Sequence, residues 1–172
     1  MPAEILSHLR SGCRFCLDSD VIRQRLGRSG LAGKWDIHLP HVSKLSGAAW
    51  LYCNLFPTTV TDEQFYLGVG LQQNAGGRFV YGVWWCDTLK RKTTLEPVKR
   101  LAQKLKSEGF EVESGGWLGK QNLDLVPRSK EFVLRMVAGK HILIEEMADL
   151  LWTFFESKHT MIEAANRALA KR

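Results

Sequence analysis

The stretch FYLGVGLQQNAGGRFVYGVWWCD, residues 65–87, constrains the fold more than any other part of the chain. Two alternating runs flank a glycine-rich centre, and a period of two marks strands whose successive side chains point to opposite faces of a sheet. In the first run Phe65, Leu67, Val69 and Leu71 share one face, and Tyr66, Gly68 and Gly70 the other. NAGG at 74–77 supplies a turn, with glycines free to take positive φ. In the second run Phe79, Tyr81, Val83 and Trp85 share one face, and Val80, Gly82 and Trp84 the other. The pattern predicts an antiparallel hairpin with one aromatic and β-branched face turned to the core and one face floored by glycine. Trp85 is expected to be buried. Trp84 has two readings: packed under a helix that approaches the glycines closely, or lining a shallow groove above them.

Further strands are expected at AAWLYCNLF (48–56, ended by Pro57), FEVES (110–114) and NLDLV (122–126), the last two joined by GGWLGKQ, with a short one at WDIHL inside the Gly-, Ser- and Pro-rich segment 28–47. Helices are expected over residues 3–10 and over DVIRQRLGR, capped by Asp18 or Ser19 and closed by Gly27 or Gly30. Another follows a Thr93–Glu96 capping box (Thr94 would also serve), with Pro97 in its first turn, a stripe of Leu95, Val98, Leu101, Ala102 and Leu105, and a stop at Gly109. Ser129 caps a helix over KEFVLRMVAG; HILIEEMADLLWTFFESK carries Ile142, Met147, Leu150, Leu151, Phe154 and Phe155; a Thr160–Glu163 capping box starts the final helix. The class is therefore α+β: a mainly antiparallel sheet of about five strands, helices packed on it, and a helical C-terminal tail. At 172 residues one domain is expected, with a helical and loop segment at 1–46, the sheet and one helix at 47–126, and the C-terminal helices at 127–172.

Hydrophobic residues make up 45% of the chain, yet no apolar run is long enough to span a bilayer. MPAEILSHLRSG carries Glu4 and lacks a continuous apolar stretch, so it does not read as a signal peptide. A cytoplasmic protein with Cys13, Cys16, Cys53 and Cys86 as free thiols is expected. Cys13 and Cys16 form one C-x-x-C, and two of His8, His38 and His41 would complete a zinc set on paper. With no second C-x-x-C, the competing reading places both cysteines near a helix end with Phe15 between them facing the core. No metal and no cofactor is expected.

Motifs for catalysis are missing. G-x-S-x-G, a phosphate-binding loop and H-E-x-x-H do not occur, and GVGLQQNAGG sits in a hairpin with no helix after it. A metal-dependent nuclease would need a carboxylate two residues before a lysine on a strand; Glu111 and Glu113 are followed by Ser114 and Gly115, and Asp87 precedes Lys90 by three residues. A nuclease with a dispersed site remains an alternative reading. His141, Glu145 and Asp149 share a helical face and read as a solvated surface rather than an acid–base pair. His159 is expected between two helices.

The basic balance points further. Net charge is +6 and the pI about 9.3. Arginines 10, 14, 23, 25 and 28 form one basic group; Lys90, Arg91 and Lys92 follow the two tryptophans and lead into a helix whose outer face carries Lys99, Arg100 and Lys104. Cations neutralise phosphates and aromatic rings stack on bases, so the candidate binding set is Trp84, Lys90, Arg91, Lys92, Lys99, Arg100 and Lys104. The expected partner is nucleic acid or an acidic protein surface, not a membrane. A non-catalytic protein–protein interaction module, an adaptor or inhibitor of a larger machine, is the other reading of the same features.

Overall fold

The computed structural model describes residues 19–38, 52–58, 66–73, 78–86, 93–126 and 129–171. Among them six strands form one sheet: β1 (Trp35–His38), β2 (Tyr52–Pro57), β3 (Leu67–Gln73), β4 (Phe79–Trp85), β5 (Glu111–Val112) and β6 (Trp117–Asn122). Their order is β1-β2-β3-β4-β6-β5, and every neighbouring pair is antiparallel. Three helices accompany them: α1 (Ser19–Arg28), α2 (Glu96–Ser107) and α3 (Lys130–Ala170). The α+β class with a mainly antiparallel sheet is what the alternation predicted. The hairpin forms in the expected register, from Leu67 opposite Trp85 to Gln73 opposite Phe79. WDIH adds an edge strand, Trp35 facing Pro57 and His38 facing Asn54. The expected helix over residues 3–10 and the NAGG turn lie outside the described residues.

Four expectations change. The last strand is not NLDLV but Trp117–Asn122, most of which read as a connector. Its pairing with β4 contains a bulge: Val83 faces Gly119 and Trp84 faces Trp117, so Leu118 is the extra residue. Leu118 is fully buried, and a Cβ on Gly119 would meet the Leu105 side chain at 2.8 Å, so two successive residues turn to the helices. That doubling breaks the period of two and hides the strand. The two backbones also run very close: a Cβ on Gly82, at φ +153, would stand 2.1 Å from the Gly119 carbonyl oxygen. Second, no capping box opens α2. Leu95 occupies the N-cap without a side-chain bond, and Glu96 turns to Arg100 instead. Pro97, pre-set for the first turn, starts the helix beyond the threonines.

Third, the C-terminal tail breaks only at Gly139 (φ −174°, ψ 70°), where the helix over KEFVLRMVAG was expected to end; α3 then runs on through Thr160, which lies inside it and opens no new helix. A single buried stripe from Phe154 and Phe155 through Lys158, Ile162 and Asn166 to Leu169 holds the helix together across that point. His159 is accordingly a helix residue, its ring 5.5 Å from that of Phe155. Fourth, Ile142 faces solvent and Leu143 joins the apolar stripe instead, because at 3.6 residues per turn Ile142 lies about 140° around the helix from Met147 and Leu143 only about 40°. Ser129 does cap α3, accepting from the Phe132 N–H at 3.1 Å.

All three helices lie on one face of the sheet. α3 packs on β3, with α1 beside it towards β1 and α2 beside it towards β6 and β5. Leu67, Val69, Val83, Trp85 and Leu118 meet Ile22 of α1, Leu101 of α2 and Leu151, Phe155 and Ile162 of α3 in one core. Cys53 lies there too, where burial pushes its thiol up to about 12; Cys86 is exposed. Two polar side chains reach the helix-covered core with partners. Trp35 donates from Nε1 to Glu163 Oε1 at 2.8 Å and meets Phe155 edge-on at 4.8 Å. Asn166 Oδ1 accepts from the backbone N–H groups of Tyr66 and Leu67, each at 2.9 Å, and its Nδ2 donates to the Leu67 carbonyl at 2.9 Å.

Lys158, 4% exposed, donates to Glu108 just beyond α2 and to Ser157 Oγ. Burial pushes the Glu108 carboxyl up, but hydrogen bonds and charges from Lys158 and Lys104 outweigh it and hold the group below its ordinary value. A depressed carboxyl stabilises the fold above its unfolded value, and that contribution is lost as the pH falls through the folded value. Glu108→Gln is therefore expected to be about 1–2 kcal/mol less stable than the parent chain at neutral pH, Glu108 being partly exposed. The gap should close in acid, below the usual carboxylate range. Urea unfolding of both proteins across pH 3–7 reads this directly, and a pH-independent gap would contradict it.

Candidate nucleic-acid interface

The two faces of β4 diverge as the alternation requires. Trp85, 3% exposed, joins the core under the helices. Trp84 points the other way and is half-buried. It neither lies under a described helix nor stands as a wall beside the glycines; its pyrrole ring rests on them. A Cβ at Gly68 would meet Trp84 Nε1 at 2.9 Å, and a Cβ at Gly70 would meet Trp84 Cδ1 at 3.0 Å. The glycines let an indole lie against the sheet backbone. Beside them Asn54, 8% exposed, places Oδ1 2.7 Å from the Gly70 Cβ position, and that buried oxygen has no hydrogen-bond partner among the described residues. The Gly70–Gly82–Lys120 row continues this face to β6, where Lys120 pairs with Glu111 at 3.4 Å. Lys120 escaped the sequence reading because its strand did.

The helix cations lie elsewhere. Val98, Leu101 and Leu105 fix the buried side of α2, and this leaves Lys99, Arg100 and Lys104 exposed on the other side. Arg100 Nε donates to Glu96 at 2.8 Å and Lys104 Nζ to Glu108 at 3.0 Å; Lys99 makes no ion pair among the described residues. α2 packs on the helix-covered face, so the sheet separates these three cations from Trp84. Lys90, Arg91 and Lys92 lie outside the described residues; in sequence they join the end of β4 to α2. The other basic group is split too. α1 sits at the opposite flank of the helix layer, where Arg25 is bound to Asp149 and Arg23 stands 3.9 Å from Asp20, while Arg10 and Arg14 are outside the described residues.

The candidate catalytic groups do not converge. Glu111 is on the edge strand β5, where a hydrogen bond from Ser114 and the charge of Lys120 hold it below its ordinary value. Glu113 is a turn residue at φ 57°. His141, Glu145 and Asp149 lie exposed along α3. Among the described residues no group of three or more His, Cys, Asp or Glu side chains is placed to hold a metal ion, and no helix is long and apolar enough to cross a membrane. Cys13, Cys16, His8 and His41 are outside the described residues. Comparison with protein-family models, with curated proteins and with solved structures finds no match.

Proposed function

We propose that this chain binds nucleic acid without catalysing a reaction on it, and that the exposed side of α2 is the phosphate-binding surface. The observation that carries the reading is the segregation within α2: Val98, Leu101 and Leu105 are buried, while Lys99, Arg100 and Lys104 face solvent. Within Glu96–Ser107 four cations stand against one carboxylate. Lys90, Arg91 and Lys92 extend that basic run in sequence towards β4. The net charge of +6 favours the same class of partner. Trp84 belongs to the other face of the sheet, so its stacking contribution is separable: a single strand would pass around the sheet edge to reach it.

Titrating single- and double-stranded probes at several salt concentrations tests this. Binding should weaken steeply with salt, and Lys99→Gln/Arg100→Gln/Lys104→Gln should weaken it about tenfold or more and lower the log–log salt slope by about 2. Trp84→Ala should weaken single-strand binding by about 1–3 kcal/mol and leave the slope unchanged. Salt-independent binding, or a triple variant that binds like the parent chain, overturns the reading. An acidic protein surface is the competing partner for the same cations. A captured protein that survives nuclease treatment of the lysate would favour it.

A further inference from the structure

We infer that the chain pairs with a second copy of itself through the kinked N-terminal part of α3. All four large hydrophobic side chains that are exposed among the described residues fall within 17 positions: Val126 (41%), Leu134 (57%), Val137 (66%) and Ile142 (52%). Single exposed apolar residues are ordinary on a protein surface, but Leu134, Val137 and Ile142 fall on one helix, with Val126 just before it, and such a cluster marks a contact surface. Gly139 organises it. The helical geometry breaks there, and the side chain of the outward-facing Ile142 folds back over the glycine, with Cδ1 3.0 Å from where a Cβ would stand.

Charge identifies the occupant. Before the kink the helix carries Lys130, Glu131 and Arg135, with Lys140 immediately after it; beyond lie the exposed Glu145, Glu146 and Asp149. One half is net basic and the next acidic; within the chain Arg135 already spans the kink to Glu146, and Asp149 is bound to Arg25 of α1. Two such helices laid antiparallel about a two-fold axis near Gly139 bring the basic half of each copy to the acidic half of the other. Val137 of one copy then faces Ile142 of the other at the centre. A two-fold interface must be complementary to itself, and this segment is. Parallel pairing would set like charges side by side.

Sedimentation equilibrium on the full chain tests the pairing. The parent chain should show a concentration-dependent doubling of mass, and Val137→Asp or Ile142→Asp should return it to monomer with little change in thermal midpoint, both residues being exposed. An all-acidic version (Lys130→Glu/Arg135→Glu) and an all-basic version (Glu145→Lys/Glu146→Lys) should each stay monomeric alone and form a dimer when mixed. A parent chain that remains monomeric up to about 1 mM overturns the inference and assigns the apolar cluster to a different partner. So does a dimer that survives Val137→Asp, or a mixture of the two charge variants that fails to associate.

Discussion

Replacing Trp85 by alanine is expected to cost about 3–5 kcal/mol of stability, enough to lower the thermal midpoint by roughly 10 °C or more. Trp85 is 3% exposed and shares its face with Val83 and Phe79 against the helix layer. The core cannot collapse around the missing ring, because the sheet on one side and α3 on the other are held by many other contacts. Trp84→Ala should cost less, about 1–3 kcal/mol, since that ring is half-buried and covers only the glycine-floored face. Thermal melting of the two variants side by side decides the ranking. Equal losses would mean that the Trp84 face is as tightly enclosed as the core.

The second large effect is expected at Asn166, 2% exposed on α3. Its amide satisfies the N–H of Tyr66 and both backbone groups of Leu67 where β3 begins. Asn166→Leu keeps a similar volume but leaves buried backbone polar groups without partners, at about 1–3 kcal/mol each. A total loss of about 2–4 kcal/mol is expected, with amide exchange rising first at Leu67 rather than across the whole sheet. A loss below about 1 kcal/mol would show that β3 does not depend on this clamp. The test also bears on how the long helix is joined to the sheet, because these are side-chain-to-backbone bonds across about 100 positions of sequence.

Whatever depended on local period was legible in the sequence. The hairpin of β3 and β4 follows from alternation alone, including which tryptophan is buried. The buried side of α2 and the exposed row of Lys99, Arg100 and Lys104 follow from helical spacing, and Ser129 was recognisable as a cap because its bond reaches only three residues along. Features that depend on a distant backbone were not legible. The bulge at Leu118 exists because β6 must lie against Gly82, and neither strand states that by itself. The continuity of α3 through Thr160 is decided by the sheet beneath it, which rewards an unbroken stripe over a local capping signal. Ile142 is a separate case: its spacing from Met147 and Leu151 already puts it on the exposed side, and it lies there in the structure.

The candidate interface divides in the same way. Adjacent basic and aromatic residues suggested one surface, but strand side chains alternate between faces while a helix packed on the sheet shows its charges on one side only. The chain places Trp84 and Lys99 fifteen positions apart; the sheet places them on opposite sides. Periodicity is a property of neighbours along the chain, so sequence alone determined which face each residue joins within its own element. Which faces then meet, and what each is left to bind, was decided by tertiary packing, because burial rewards contacts between elements that have no local signal for one another.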